Sequence, residues 1–461
     1  MNPIAFESAT EARFFHHFRL CTRFGLAYSA GPLDFWDTYV LPVAHQEDYL
    51  RQAVAAVGAA HQSLVVRSYA EPGSSTWNAS QENAAMQQYN RAIASLVRAI
   101  SSPNPVAAAH GALLCCLMFV CFESLMGRYS ESIKHMQSGC QLLTSLGAAS
   151  RISDAGLWRH TYGMFARLAL EFSAFMDAPL APALPSNMLS AMVVENQQPF
   201  SDLNEALLTL RTMANDHFIA LHKTERQHLL QRTRSPNLAG EMVRVDPYAQ
   251  LPRGTSMSPV SSSSGTCGPL WEGDWSDSFS AWNRRFELTV QNLCSEDISE
   301  RDRGMLAHLR LQQNFWEMEI ELTKNGGNAA VVASEACEEC LQRAESLAQP
   351  LIAHGKPTFS LDGDLISDLC FIISVCQDLG QQNRALSLLR SLNRREGIWD
   401  SNEIAEMHSF SLSLGVANLW GEDKELGYSV PAFMRSLSRM SQKAYIPRAA
   451  LVSMAEFICQ N

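Results

Sequence analysis

Apolar residues recur along most of the chain at intervals of three and four positions, the spacing that places them on one face of an α-helix. Such stripes run through residues 50–64, 86–100, 129–143 and 158–175, and the spacing resumes at 279–293. The strict alternation that is typical of half-buried strands is scarce. The pattern therefore predicts an all-α protein.

The most hydrophobic window of the sequence runs from Val106 to Phe122, contains His110 and ends at Glu123. A transmembrane helix needs about 20 predominantly apolar residues, so this window is slightly short for a membrane span. Other amphipathic stretches follow it closely. We predict a central core helix here and no membrane association.

The predicted helices come in consecutive pairs that resemble tetratricopeptide hairpins, but the sequence shows no fixed repeat length. A regular solenoid would require such a period. The prediction is therefore an irregular array of antiparallel helical hairpins that is tetratricopeptide-like in places.

Two stretches interrupt the helical spacing. Residues 178–200 carry four prolines and predict an irregular connection. Residues 233–277 are rich in serine, proline and glycine, a composition that cannot bury enough apolar surface to offset the entropy of ordering. This divides the chain into an N-terminal helical half (1–232), a disordered linker (233–277) and a C-terminal helical half (278–461).

Trp271 and Trp275 give the far end of this linker an aromatic and acidic character, since Glu272 and Asp274 lie between them. Two interpretations stay open at this point. The segment is a partner-binding motif, or it is the ordinary beginning of the next helix.

Residues 394–401, with the sequence Arg-Arg-Glu-Gly-Ile-Trp-Asp-Ser, form the most distinctive local pattern. An amphipathic helix precedes them, and we expect Gly397 to stop that helix in a left-handed conformation. Asp400, with Glu403 three residues on, is expected to cap the next helix. Trp399 is expected to pack into the groove between the two helices.

This corner resembles the C-terminal part of the fungal-specific transcription factor regulatory domain, the helical part of fungal zinc-cluster regulators. The residues that carry the resemblance here are Arg395, Glu396, Gly397, Trp399 and Asp400. The motifs at residues 14–61 and 89–139 are also similar to the family's opening and central helices, in the same order along the chain.

The resemblance implies a nuclear regulator of metabolic or secondary-metabolite biosynthesis genes. In that family DNA is normally contacted by six cysteines in CxxC pairs among basic residues, which hold two zinc ions. Before residue 115 the sequence has only Cys21, and Cys337 with Cys340 is a lone CxxC pair with no second pair at zinc-site spacing. We therefore expect the regulatory half of such a protein without its zinc cluster, and no metal site.

Charge and cysteine usage agree with this expectation. The chain has 461 residues, of which 46% are hydrophobic, and a formal net charge of −11. Lysine and arginine are not concentrated among aromatics, as a phosphate-binding surface would require, so direct DNA contact by these residues is not expected. A partner, a homologue with an intact cluster or an N-terminal exon outside this sequence would supply it. The 12 cysteines are expected to be reduced thiols of an intracellular protein, because the N-terminal residues lack the features of a signal peptide.

Enzyme motifs are incomplete wherever they begin. Asp362, Asp364 and Asp368 are the nearest approach to an aspartate-rich metal motif, and we interpret them as the start of a helix with acidic residues in its first turn. Helical terpene cyclases have a companion motif, an Asn-Asp pair followed by Ser or Thr and Glu. Asn215-Asp216 begins this motif here, but Ile219 and Lys223 occupy its ligand positions.

The histidines support the same conclusion. His217, His222 and His228 do not follow helical ligand spacing, and His16, His17 and His61 are interpreted as ordinary helix residues. No catalytic residue, cofactor or metal ligand is predicted.

The sequence thus predicts a non-enzymatic transcriptional regulator that acts through protein partners, which include a DNA-binding homologue or a co-regulator. A homodimer is compatible with this prediction. A helical scaffold or adaptor without a transcriptional role stays open, and a divergent helical enzyme is a third alternative.

Overall fold

The computed structural model describes residues 6–26, 35–69, 75–101, 105–148, 155–173, 198–214, 217, 275–293, 298–325, 332–353, 355, 357–361 and 363–413. Most of these residues are helical, and within them three short strands form one small sheet. The predicted all-α class is confirmed. The tetratricopeptide-like geometry of individual hairpins stays a prediction.

The N-terminal part of the chain is a succession of helices that pack on their sequence neighbours. They are α1 (Ala9–His17), α2 (Arg23–Leu26), α3 (Leu41–Gln46), α4 (Asp48–Tyr69), α5 (Ser75–Ile100), α6 (Pro105–Leu125), α7 (Tyr129–Ala148), α8 (Ala155–Ser173) and α9 (203–214). The π-helical turns Phe18–Thr22 and Trp36–Val40 precede α2 and α3. Helix α4 packs on α1, α5 and α6, and α6 also packs on α7.

The C-terminal part combines helices with the small sheet. Its elements are α10 (Trp275–Asn292), α11 (Glu300–Lys324), α12 (Ser334–Ala353), β1 (Thr358–Ser360), α13 (Leu365–Val375), α14 (Leu379–Leu392), β2 (Arg394–Glu396), β3 (Trp399–Asp400) and α15 (Ser401–Ser413). Helix α12 packs on α11, α13 and α14, and α15 packs on α13 and α14.

Helix α6 is the centre of the main core, as predicted from its apolar window. Residues 113–122 are buried except for Cys116, which is partly exposed. Pro105 begins the helix at the position where its missing N–H costs nothing. None of the described helices is long and apolar enough to cross a membrane.

The main core joins the two predicted halves of the chain. It contains buried residues of α1 and α4–α8 together with residues of α11–α15 and of the sheet. A second, smaller core lies between α9, α10 and α11 and is centred on Trp282 and Phe286. Sequence-distant helices thus bury their apolar stripes against each other.

The sheet was not predicted. Strand β1 pairs in parallel with β2, so that Thr358 lies opposite Arg394, and β2 pairs antiparallel with β3, so that Glu396 lies opposite Trp399. Strands of two or three residues are too short to show alternation in the sequence. The sheet places Glu396 and Trp399 in the interior of the molecule and leaves Arg395 and Asp400 partly buried.

Residues 233–274 of the predicted linker (233–277) lie outside the described residues. Its last three residues form the first turn of α10, which therefore begins before the predicted boundary. The Trp275 ring lies 5.1 Å from the ring of Trp316 and 4.7 Å from that of His217. This packing supports the interpretation of Trp275 as the beginning of a helix. The predicted connection at 178–200 is described only at 198–200.

Candidate functional site

The signature residues lie on a hairpin that begins where α14 ends. Helix α14 stops at Leu392, and Asn393 takes the left-handed conformation, with φ 43° and ψ 52°. The prediction that Gly397 stops the helix is therefore wrong. Asparagine tolerates this conformation because its short polar side chain bonds locally, and Asn402 Nδ2 donates to Asn393 Oδ1 at 3.2 Å.

Gly397 forms the turn between β2 and β3 instead. Its φ of 55° confirms the predicted need for glycine, although the element it serves is different. Its N–H donates to the Ser360 carbonyl at 2.9 Å, and a Cβ at this position would lie 3.1 Å from the Leu361 carbonyl oxygen. The turn is thus held against the end of β1.

We expect Gly397→Val to lower the free energy of unfolding by about 1–2 kcal/mol, because a residue with a Cβ is strained at positive φ. Thermal or denaturant unfolding of the purified chain measures this change. Gly304 on α11 is the matched control, since a Cβ there would meet no atom within 4 Å. Equal stability of Gly397→Val and Gly304→Ala would contradict the assigned turn.

Arg395 connects the hairpin to the central helix. Its Nη1 donates to the carbonyls of Ser124 and Leu125 at 2.9 and 3.1 Å, the last two residues of α6. Its Nε and Nη2 donate to Asp400 Oδ2 at 3.1 and 2.7 Å. The last carbonyls of a helix have no partner within it, and this arginine bonds to two of them. The Ser124 carbonyl also accepts from the Gly127 N–H at 3.1 Å.

Glu396 is a buried carboxylate that organises two neighbouring segments. Its Oε1 accepts from Arg394 Nε at 2.7 Å, and its Oε2 accepts from the Ile366 N–H at 3.0 Å in the first turn of α13. Both charged side chains of the pair are at most 2% exposed. Gly363 leaves room for this carboxylate, because a Cβ there would lie 2.3 Å from the Glu396 carboxyl carbon.

Trp399 is 2% exposed and belongs to the main core. It lies on β3, which packs on α13 and α15. The predicted burial is confirmed, and β3 packs on α15, the helix after the signature, and also on α13. Packing of the ring against α14 stays a prediction. The hairpin lies between α14 and α15 in the sequence, and these two helices also pack on each other.

Asp400 caps α15 as predicted. Its Oδ1 accepts from the N–H groups of Asn402 and Glu403 at 3.0 and 3.2 Å, while its Oδ2 accepts from Arg395. The Asp400 carboxylate therefore bonds both to Arg395 on β2 and to the first turn of α15, the last described helix.

We expect Asp400→Ala to lower the free energy of unfolding by about 1–2 kcal/mol, because the first N–H groups of α15 and Arg395 lose their acceptor. Asp400→Asn is the control, since it keeps an oxygen for the cap but not the charge, and it should lose less. The measurement is chemical unfolding at fixed pH. Identical midpoints for wild type and Asp400→Ala would contradict the cap.

A buried charge cluster lies beside the hairpin. Arg211 on α9 pairs with Glu171 on α8 at 3.3 Å and with Asp364, the residue before α13. His308 Nε2 on α11 lies 2.8 Å from Asp364 Oδ2. All four residues are at most 8% exposed. The cluster thus joins helices from both predicted halves of the chain.

Burial shifts the pKa values of the titratable side chains in and beside this cluster. It raises the pKa of Glu171 to about 7, even though the neighbouring Arg211 guanidinium acts in the opposite direction. Burial also raises the pKa of Asp368, whose Oδ2 accepts from Gln312 Nε2 at 2.7 Å. It lowers the pKa of His308, so that this imidazole is neutral at pH 7.

Sequence reasoning placed Asp364 and Asp368 correctly at the start of a helix but missed the cluster. Asp364 makes no side-chain capping hydrogen bond; its carboxylate meets Arg211 and His308 instead. The sequence feature that could have indicated the cluster is a charged residue inside an apolar stretch, such as Glu171 between Leu168 and Phe172. Asp362, Asn215 and Asp216 lie outside the described residues, as do Ile219, Lys223, His222 and His228.

The remaining histidines of interest lie in helical segments, as predicted. His17 Nε2 and His61 Nδ1 are 3.1 Å apart, and burial lowers the pKa of both, that of His61 to about 4.

Cys337 and Cys340 lie on the buried face of α12. Among the described residues, no three His, Cys, Asp or Glu side chains are grouped as metal ligands.

The effect of burial on the pKa of His408 can be tested through the pH dependence of stability. It is buried on α15, its Nε2 lies 3.0 Å from Cys370 Sγ, and burial lowers its pKa from 6.5 to about 4. The unfolded chain therefore binds a proton that the folded chain does not, so stability is lost as the pH falls below 6.5. At about pH 5 the loss should reach roughly 2 kcal/mol.

We expect His408→Gln to remove this part of the pH dependence, because glutamine does not titrate. Thermal unfolding of the variant and of wild type should converge as the pH falls from about 7 to 5. His16→Gln, at an exposed position, should keep the wild-type profile. Parallel profiles for His408→Gln and wild type would show that His408 is not the group responsible.

Two shallow grooves lie on the surface of the described part. One, of about 400 Å³, lies between α12 and α14 and is lined by Glu345, Arg384 and Leu388 among others. The other, of about 300 Å³, lies beside the start of α1 and includes Gln52 and Arg98. Their linings hold no histidine or cysteine, so neither offers a nucleophile or metal ligands of those types.

The chain is similar to a known protein family and to a curated regulator. Residues 13–179 match the model of the fungal specific transcription factor domain. The aspercryptin biosynthesis cluster-specific transcription regulator atnN of Emericella nidulans is 26% identical over 178 residues. The alignment covers 39% of this chain and 28% of that regulator, so the chain matches little more than a quarter of the relative's length. No solved structure matches the chain significantly.

The matched range begins within α1 and includes α2 to α8, and Arg395 bonds to the end of α6 within it. The opening and central motifs at 14–61 and 89–139 also fall inside the match. The resemblance of the opening and central motifs is therefore confirmed: residues 13–179 match the fungal specific transcription factor domain.

Proposed function

We propose that the chain is a transcriptional regulator of fungal type whose helical array acts through protein–protein contacts. The observation that carries the proposal is the match of residues 13–179 to a family of transcription factor domains. That family is not a family of enzymes, which supports the prediction that this protein is not one.

The structure supports extending the proposal to the C-terminal part of the chain. Arg395 lies outside the matched range but bonds to the carbonyls of Ser124 and Leu125 inside it. The main core also contains residues of both parts. A regulatory signal received by either part would therefore act on one packed unit.

In this proposal the protein works in the nucleus and controls genes of a metabolic or secondary-metabolite biosynthetic pathway. The name of the Emericella nidulans relative, a biosynthesis cluster-specific regulator, supports the choice of pathway. The net charge of −11 opposes direct binding to phosphates, so a DNA-binding homologue or co-regulator supplies the DNA contact.

The test is to fuse the full chain to a heterologous DNA-binding domain in a fungal reporter strain. We expect reporter output to change several-fold in either direction, and a fluorescent fusion of the chain to enter the nucleus. Trp399→Ala should abolish the effect through loss of folded protein. Leu379→Ala, at a side chain that is 66% exposed, is the control and should keep the effect.

A cytoplasmic fusion with unchanged reporter output would overturn the proposal. It would favour the alternative of a helical scaffold without a transcriptional role. Transcript profiles of a strain that lacks the gene give an independent readout, since a scaffold of this kind would leave pathway transcripts at their wild-type levels.

A further inference from the structure

The smaller of the two surface grooves, of about 300 Å³, lies between the C-terminal half of α5, helix α4 and the residues before α1. We call it the α5 groove, and its lining residues are Glu7, Ser8, Gln52, Arg91, Ala94, Ser95 and Arg98. Arg91 and Arg98 are exposed and lie on one face of α5, about two turns or 10 Å apart along its axis. The groove therefore has a positively charged edge.

The two arginines have no acidic partner within the described part of the molecule. Arg98 donates to the Ala94 carbonyl and to the Ser95 hydroxyl, at 3.4 and 2.9 Å, and neither it nor Arg91 pairs with a carboxylate of any described residue. Residues 83–101 contain no aspartate, glutamate or lysine. In a chain with a net charge of −11, this half of α5 is a local excess of positive charge, available to carboxylates from outside.

Buried polar side chains hold the floor of the α5 groove in place. Ser95 Oγ accepts from Arg98 Nη2 and donates to Gln52 Oε1 at 2.8 Å. Gln52 Nε2 in turn donates to Glu7 Oε1 at 3.0 Å. Gln52 and Ser95 are only 2% and 8% exposed. These bonds join α5 to α4 and to the segment before α1, so the Arg98 guanidinium is held beside the groove before any partner binds.

Small and apolar residues lie beside the arginines on the same exposed face. Ala94 is exposed between Arg91 and Arg98, and Val97 next to it is 52% exposed. An alanine lets another helix approach closely, and the valine supplies apolar surface for it to bury. The face thus combines apolar contact area with two cations along one edge.

We infer that the α5 groove binds an amphipathic helix of a partner protein, with acidic residues about two turns apart along one edge of its apolar stripe. This inference rests on the proposed function, in which the helical array acts through protein contacts. The apolar stripe packs on Ala94 and Val97, and the carboxylates reach Arg91 and Arg98. Arginine suits this role because its planar guanidinium bonds a carboxylate through two parallel N–H groups.

The same face is poorly suited to nucleic acid. A DNA-binding surface typically neutralises about 6–10 phosphates, whereas this face offers two arginines. Glu7 on the opposite wall repels phosphate, and the exposed Val97 finds no apolar counterpart on a phosphate backbone. An acidic amphipathic helix matches both the charge and the apolar area.

The test selects binders of the purified full chain from a displayed library of amphipathic helices about five turns long. The apolar stripe of the library is fixed as alanine and leucine, and the positions beside it vary among glutamate, glutamine, lysine and serine. We expect the enriched helices to carry glutamates about two turns apart along one edge. The most enriched helix is then synthesised with a fluorescent label, and its Kd for the chain is measured by fluorescence anisotropy.

Arg91→Gln combined with Arg98→Gln should raise this Kd roughly ten-fold, because two arginine–carboxylate contacts are lost. Glu7→Gln should lower it several-fold, since it removes a like charge from the opposite wall and keeps an oxygen for the hydrogen bond at the groove floor. Both differences should shrink at high salt. Arg19→Gln combined with Arg303→Gln is the matched control, because both positions are exposed and outside the groove lining, and it should leave the Kd unchanged.

Thermal unfolding checks that the variants are folded, and the wild-type selection tests the inference without any substitution. Enrichment of helices without acidic residues, or no enrichment at all, would overturn it. An equal Kd for wild type and the Arg91 and Arg98 double variant would do the same. Binding of a mixed-sequence DNA duplex that depends on Arg91 and Arg98 would show that the face recognises phosphate instead.

The selection does not depend on transcription, so the two proposals fail separately. Binding of acidic helices by a chain whose reporter fusion is inactive would refute the proposed function and leave the α5 groove as a docking site. An active reporter fusion without binding of acidic helices would refute the docking site alone.

Discussion

Trp399→Ala should lower the free energy of unfolding by about 3–5 kcal/mol, the range measured when a buried large aromatic is truncated. The ring is 2% exposed and belongs to the core that joins both parts of the chain, and β3 places it against α13 and α15. Its loss leaves a cavity under the sheet. Since a domain's whole stability is about 5–15 kcal/mol, much of the variant should be unfolded in the cell.

Denaturant unfolding of the purified chain measures this loss, and reporter output from the fusion described above should fall with the amount of folded protein. Leu379→Ala is the control in the same region, because this exposed side chain contributes little. A Trp399→Ala protein with full stability and no reporter output would show that the tryptophan recognises a partner. In that case the structural role assigned to it would be wrong.

Arg211→Met should also cost about 3–5 kcal/mol at pH 7, because it removes the guanidinium that pairs with two buried carboxylates. Arg211 is the cation that contacts both Glu171 and Asp364, and its side chain is 4% exposed. Methionine keeps much of the volume, so the loss of charge dominates. Arg343→Met is the control, since that arginine makes an exposed pair with Glu339 worth less than about 1 kcal/mol.

The destabilisation by Arg211→Met should depend on pH. With Arg211 present, burial already raises the pKa of Glu171 to about 7, and without the guanidinium this pKa rises further. A carboxyl whose pKa is higher in the folded state favours folding at low pH, and this contribution is lost as the pH rises through the folded value. The variant should therefore lose more stability relative to wild type at about pH 8 than at about pH 6.

A neutral version of the cluster separates charge from packing. Arg211→Met combined with Glu171→Gln and Asp364→Asn removes all three charges, and buried charges replaced by neutral groups of similar size are often tolerated. We expect the triple variant to recover most of the stability that the single variant loses. Failure to recover would show that the hydrogen-bond geometry of the cluster, and not its charge balance, holds α8, α9 and α13 together.

The sequence by itself determined the helical class and the central helix. Helical spacing reports which face of a segment is apolar, and this information is local. The apolar residues of α6 and the helix cap at Asp400 were predictable because each depends only on residues that are close together in the sequence. The requirement for glycine at position 397 was also predictable, because positive φ favours that residue wherever a chain must turn sharply.

Only the tertiary structure decided what those residues do together. The helix before the signature ends at Asn393 and not at Gly397, because pairing of β2 with β1 takes up the residues between them. Likewise, Arg211 and Asp364 are 153 positions apart, and Arg395 is 271 positions from Ser124. Local spacing carries no information about such partners, since they are chosen by the packing of whole helices, and so the buried charges became recognisable only in the folded chain.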